Sequence, residues 1–266
     1  MTSVLPTSQF ASLVHGANGM PLDDLAETLH EGSRLYPNVA PERLDVLLEL
    51  TRGSGLSASV ARSSRTHEHR PSTTLPPPAR LSGSLGDALA RRRSTCADAL
   101  RPVGIGELST VLAAAYAAGP RGRRPVPSAG ALYPLELYVV AGAVNGLDRG
   151  IYHFNPFRHR LARLASFSWP EVRSALVDAA VLDQASALVV VTAVFARSRI
   201  KYGLRGYRFA LLEAGHVIQN AVLAATELGL PALPLGGFYD RLLDGLVGAD
   251  SLDEAAVHAL VIGGAA

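Results

Sequence analysis

Apolar positions along the chain recur with two different periods, and the change from one to the other marks out its elements. Leu108, Val111, Leu112 and Ala115 share one face of a helix predicted from Ile105 to Ala118, with Gly119 as its stop. A shorter helix is predicted from Ser84 to about Arg92. Then the period changes. Leu135 to Val144 reads as a strand, Gly150 to Asn155 and His159 to Ala165 as a hairpin about Asn155-Pro156, and the valine run from Ala187 to Phe195 as a buried strand. Ser168 and Pro170 open a helix to about Ala179, and a long helix runs from about Gly206 to Leu228 before Gly229. A Pro/Gly loop at 229–237, a short helix near 240–247 and a last strand at 258–262 follow. This mixed order predicts an α+β fold, with helices packed on a largely antiparallel sheet.

The first 80 residues are weaker text. Two helical patterns occur before about residue 52, the clearer being Pro41-Glu-Arg-Leu-Asp-Val-Leu-Leu-Glu-Leu50 ahead of Gly53. Residues 53–80 are rich in Ser and Arg and end in Leu75-Pro-Pro-Pro78 with no apolar period. The expectation is a small helical N-terminal appendage with a Pro-rich strap over 1–80, and a main domain over 81–266.

Composition narrows the class of function. The 266 residues are 48% hydrophobic and 18% charged, which is ordinary for a globular protein with a real core. With 25 cations against 23 carboxylates there is no one-signed field, so no nucleic-acid partner is expected. The only cysteine, Cys96, excludes an internal disulfide framework and a cysteine-based metal cluster, and favours a reducing compartment. The longest apolar stretch, Ala187 to Phe195, is far short of a membrane span, so the expectation is a soluble, cytoplasmic protein with no membrane partner. One count is unusual: every basic residue but Lys201 is an arginine. A chain that answers nearly every need for positive charge with Arg and keeps one Lys raises the question of what only an amine can do.

Several motifs lead nowhere. Gly104-Ile-Gly-Glu-Leu-Ser follows Pro102 rather than a strand and lacks the third glycine of a dinucleotide fingerprint. Val126 stands where a nucleophile elbow needs its first glycine. His67-Glu-His69 lies in a polar segment, and no metal site is predicted. Three other segments each suit one part of a bound flavin mononucleotide (FMN). Arg91-Arg-Arg-Ser-Thr-Cys96, at a helix end, offers guanidinium forks and a hydroxyl to a phosphate. Pro127-Ser-Ala-Gly-Ala-Leu-Tyr-Pro134 is a run of small residues between prolines that lets a planar ring approach the main chain. Pro231-Ala-Leu-Pro-Leu-Gly-Gly-Phe238 has the same character.

In their order and spacing these segments resemble the FMN-dependent nitroreductase superfamily, and within it the SagB/McbC-type azoline dehydrogenases. The resemblance runs from about Leu75 to Gly264 and is most specific at Pro127–Val140, Gly150-Ile-Tyr-His153, Lys201-Tyr202 and Leu212–Asn220. It implies a nitroreductase-like α+β homodimer with FMN in a cleft between the subunits. Arg92, Arg93 and Ser94 match the family's phosphate-binding pattern. Cys96 stands where that pattern has a cation near the flavin, which leaves open whether Arg123, Arg124 or Arg197 supplies the charge. Ser128, Gly130, Gly236 and Gly237 match positions that line the isoalloxazine. Lys201 and Tyr202 match the pair regarded as catalytic.

The implied reaction turns a peptide thiazoline or oxazoline into an azole during maturation of a ribosomally made peptide. A proton leaves Cα and a hydride leaves Cβ for the flavin, which dioxygen reoxidises. The partners implied are an azoline-containing precursor peptide, a second copy of the chain and a cyclodehydratase complex. Two other functions compete: an NAD(P)H-dependent nitroreductase or quinone reductase, which needs no catalytic base, and a mainly structural subunit of a peptide-modifying complex.

Overall fold

The computed structural model describes residues 25–34, 63–95 and 103–264. It divides into two units, Met1–Ala40 and Pro41–Ala266. In the first, the described part is one helix, α1 (Leu25–Gly32), whose last turn is closed by Ser33 Oγ donating to the Leu29 carbonyl. The helical pattern over Pro41–Leu50 lies outside the described residues, as does Cys96.

The second unit is built on a seven-stranded sheet in the order β1-β6-β5-β3-β7-β9-β8, antiparallel throughout. Its strands are β1 (Ser72–Thr74), β3 (Leu135–Ala141), β5 (Gly150–Asn155), β6 (Arg160–Ala165), β7 (Ala185–Val194), β8 (Ala232–Leu235) and β9 (Glu254–Gly264). A separate two-stranded parallel pair joins β2 (Val103–Gly104) to β4 (Val144–Asn145). Both faces of the sheet are covered, which is why β3 and β7 read as continuous apolar runs rather than alternating ones. On one face Leu135, Leu137, Val139 and Ala141 of β3 pack with α3 (Ile105–Tyr116) and α6 (Arg205–Glu227). On the other, Tyr138 and Val140 pack with α4 (Trp169–Ser174) and α7 (Asp240–Val247). Each Leu or Val fully buried in these layers contributes about 1.5–3 kcal/mol.

Local chemistry sets the boundaries. Ser84 caps α2 (Leu85–Arg91) by accepting from Asp87 N–H. Asn155 Oδ1 accepts from Phe157 and Arg158 N–H, closing the expected β5–β6 turn. The structure corrects four expectations. α4 ends at Ser174 rather than near Ala179, the last strand starts at Glu254 rather than 258, and the loop expected at 229–237 contains β8. Pro234 is tolerated there because β8 is an edge strand, with one side free of ladder bonds. The boundary expected near residue 80 cuts through one packed unit: β1 pairs with β6, and Leu75 is buried in the core of α3 and α6.

Between β7 and α6 lies a helix the sequence pattern did not announce, α5 (Phe195–Tyr202). Gly203, at φ +55°, ends it, and Gly206 lets α6 press onto the Ser198 backbone, where an added Cβ would lie 2.7 Å from the Ser198 carbonyl carbon.

Candidate functional site

Lys201 lies in the last turn of α5 and is buried, at 5% exposure. Its Nζ is 5.3 Å from the Tyr202 ring centroid and makes no ion pair with a described residue. Tyr202 is half-buried, with its ring edge on Phe209 at 5.0 Å. Both polar ends converge on Gly130. A Cβ there would sit 2.7 Å from Tyr202 Oη and 2.9 Å from Lys201 Nζ, so only glycine leaves this cradle open. The loop around it is held in an unusual backbone conformation. Gly130, Ala131 and Tyr133 all have positive φ, at +61°, +53° and +48°, and such strain persists only where surroundings over-determine it.

Those surroundings are visible. Ser128 Oγ accepts from Tyr133 N–H at 2.9 Å and also bonds Glu213. Glu213 accepts from Tyr116 Oη at 2.6 Å, and Tyr116 Oη in turn accepts from Leu135 N–H at 3.2 Å. Burial pushes the Glu213 carboxyl up to about 7, against the opposing pull of Ser128, Tyr116 and Arg124. Arg124 is buried with its guanidinium 4.0 Å from the Tyr116 ring and 4.9 Å from that of Tyr133; none of its three side-chain nitrogens has a hydrogen-bond partner among the described residues.

A second cluster forms where α2 ends. Arg92 Nη1 donates to Ser94 Oγ at 3.2 Å, while Arg93 folds back to donate to the Ala90 and Arg92 carbonyls at 3.0 and 2.9 Å. Arg91, Arg93 and Thr95 border a shallow cavity with Thr226 and Pro231. Thr95 N–H donates to the Ala232 carbonyl at 3.1 Å, which ties this segment to the start of β8. At about 3.3 Å per residue, Gly236 lies about 13 Å further along. Among the described residues, its chain neighbours apart, nothing lies within 4 Å of a Cβ built on Gly236, and neither Gly236 nor Gly237 has positive φ. Neither packing against the described residues nor backbone conformation therefore demands glycine at Gly236.

The two clusters lie at opposite ends of α6. Lys201 and Tyr202 precede its N-terminus, while Arg91 pairs with Glu227 at 3.0 Å at its C-terminus, and a 23-residue helix is about 34 Å long. The structure thus brings Ser128, Gly130, Lys201 and Tyr202 together, and sets Arg92, Arg93 and Ser94 apart from them beside the strand that leads to Gly236 and Gly237. Of the three arginines left open as the missing cation, Arg197 is engaged by Glu136 at 2.6 Å, Arg123 is exposed and Arg124 is buried behind the Ser128 loop.

Residues 89–264, more than half of the chain, match the Nitroreductase family. The chain belongs to the nitroreductase family. Members of this family typically bind FMN. A protein of Methanocaldococcus jannaschii named as a nitroreductase, MJ1384, is 40% identical over 162 residues, which cover 59% of this chain and 80% of that protein. The microcin B17-processing protein McbC of Escherichia coli is 32% identical over 146 residues, 53% of this chain and 53% of McbC, so the chain matches about half of that relative's length. A solved chain of the Escherichia coli microcin synthetase McbBCD complex, with truncated pro-MccB17 bound, superposes with a TM-score of 0.57 at 21% identity, covering 100% of this chain and 84% of that one; at such identity it speaks for the nitroreductase fold.

The residues fit the family's cofactor. Gly236 leaves main chain clear of described side chains for a planar ring, the Gly130 loop brings Lys201 Nζ and Tyr202 Oη to one place, and Arg92 with Ser94 offers donors to a phosphate. Sequence reasoning did not single out Glu136, His153 or Glu213, all buried. The signal available for Glu136 was a carboxylate inside the apolar run Leu135-Glu-Leu-Tyr-Val-Val.

Proposed function

We propose that this protein is an FMN-dependent azoline dehydrogenase, which oxidises a thiazoline or oxazoline in a precursor peptide to the azole. The observation that carries this reading is the burial of the chain's one lysine beside Tyr202, with both polar ends turned on Gly130. A reduction of nitro groups or quinones by NAD(P)H needs no such base.

FMN, when bound, supplies the acceptor for the hydride that leaves Cβ. The chain's own residues handle the proton. Lys201 Nζ takes the proton from Cα as the new double bond forms between Cα and Cβ. Tyr202 Oη, at the same cradle, orients the ring or passes that proton outward. Arg92 and Ser94 hold the phosphate, and Gly236 and Gly237 give the ring backbone to lie against. The separation of these groups along α6 supports a homodimer in which each site combines the Arg92 cluster of one copy with the Lys201 cluster of the other. The likeness to McbC supports a peptide-modifying complex with a precursor peptide and a cyclodehydratase.

Lys201→Ala is expected to retain the yellow FMN spectrum and to lose azole formation on an azoline peptide by about 10²–10⁴-fold, followed by mass spectrometry as the loss of two hydrogens. Turnover at the wild-type rate would remove the base assignment. The name of the Methanocaldococcus jannaschii relative favours a second reading, general NAD(P)H-dependent nitroreduction. Steady oxidation of NAD(P)H with a nitroarene, unaffected by Lys201→Ala, would select it.

A further inference from the structure

We propose that Glu136 is a positioning residue that holds Lys201 against the Ser128–Gly130 loop, acting through Arg197. The inference rests on the reading of Lys201 as the base and adds to it the device that aims the amine.

Helix α5 cannot aim Lys201 by itself. It has eight residues and no side-chain hydrogen bond at its N-cap, Val194, and a helix so short is marginal without tertiary support. Its buried residues are Ser198 and Lys201, both polar, while Ala196, Arg199 and Ile200 are exposed; its apolar anchor is Phe195 in the first turn, which packs on the core and stacks on Tyr207 at 4.7 Å, at the opposite end of the helix from Lys201. Beyond that first turn, its described ion pair to the sheet is the Arg197 guanidinium, whose Nη2 meets Glu136 Oε1 at 2.6 Å. Arg197 and Lys201 are four residues apart and share one helix face. Fixing the first therefore fixes the angle at which the second leaves the helix.

Glu136 is suited to be the fixed point. It is 2% exposed and gathers four partners from three parts of the unit: the segment at Ser64–Arg65, β5 and α5. Oε1 accepts from the Arg65 backbone N–H at 2.9 Å and from Arg197; Oε2 accepts from Ser64 Oγ at 3.1 Å and pairs with His153 Nε2 at 2.8 Å. Burial alone would push this carboxyl up, but His153 and Arg197 outweigh it and hold it at about 2, so the charge that grips Arg197 persists across the working range. Glu136 is also the second residue of β3, and the first, Leu135, follows directly on the strained loop. One carboxylate thus references both sides of the cradle. A buried ion pair is often no more stabilising than well-packed apolar side chains in its place, which leaves geometry as what it supplies.

Because Lys201 is the only lysine, reductive methylation with ¹³C-formaldehyde gives one side-chain dimethylamine signal, distinct from that of the N-terminus, in the FMN-loaded protein and in the flavin-free protein alike. In Glu136→Gln that signal is expected to shift and sharpen towards that of a free amine. Unmodified Glu136→Gln is expected to lose about 10–100-fold in kcat for azole formation, with KM changed less than threefold and FMN content unchanged. The double variant Glu136→Gln/Arg197→Gln removes both charges and restores thermal stability lost in the single one; it is expected to keep the shifted signal and the low kcat. A Lys201 signal unmoved in both variants would overturn the proposal, as would a double variant that recovers the wild-type signal. A signal that moves while azole formation stays at the wild-type rate in Lys201→Ala would overturn the base reading and leave the positioning role standing.

Discussion

The Lys201 cluster and the Arg92 cluster are built on opposite principles. Around Lys201 the chain's own contacts set the geometry: the loop is strained, the helix is tied to a buried carboxylate, and Glu213, Tyr116 and Ser128 close a network behind it. Around Arg92 little is held. Arg92 touches Ser94, Arg93 is spent on its own helix end, and the surrounding cavity is shallow. A proton-transferring amine loses its value if it strays by an ångström, so its cost of ordering must be met in folding. A phosphate brings enough charge to order exposed arginines on its own.

Three measurements break or sharpen that contrast, the largest first. A carboxyl raised from its usual 4.5 to about 7 stays protonated in the folded state where the unfolded chain has released its proton, so stability falls as pH rises between those values. The full effect is about 3 kcal/mol, is absent below pH 4.5 and is complete above pH 7. Urea unfolding across this window should show that loss in the wild type and a flat difference for Glu213→Gln; parallel curves would mean the network behind the loop is looser than described. Next, Gly130→Ala forces an L side chain to φ +61° and into Tyr202 and Lys201. It should cost about 1–3 kcal/mol in thermal unfolding and depress azole formation with FMN still bound. Smallest, Arg92→Ala should weaken FMN about tenfold, or about 1.4 kcal/mol, more at low than at high salt, with no change in unfolding of the flavin-free protein. At FMN concentrations too low to load Arg92→Ala, mixing it with Lys201→Ala should restore part of the azole formation, the outcome expected of the proposed dimer in which each site takes one cluster from each copy.

The interior of the fold was legible because burial on both faces writes itself into the sequence as apolar runs. β3, β5, β6, β7, α3 and α6 fall where periodicity puts them, within a few residues. What escaped was the margin. β1 and β8 are the two edges of the sheet; one is Ser-Thr-Thr and the other carries Pro234, and neither has an alternating face to announce it. α5 escaped for a different reason: its buried face is Ser198 and Lys201, so a search for apolar period passes over it. Part of the candidate site was legible from composition, since Lys201 is a lone lysine among arginines. Its supports were not, because Glu136 meets Arg65 and Arg197 across 71 and 61 residues of chain, and Tyr116 meets Glu213 across 97. Such pairings are products of the topology and leave no local trace.

The left-handed run through Gly130, Ala131 and Tyr133 bears on how this protein is redesigned. Diversifying the loop to admit a different heterocycle would discard most variants at the folding step, because ordinary side chains resist those torsions. Ile200, in the last turn of α5, and Leu204, just past Gly203, carry no such penalty: both stand half out in solvent, with no left-handed torsion. A library confined to those two positions would change the surface next to Lys201 in sequence while leaving the loop's torsions untouched.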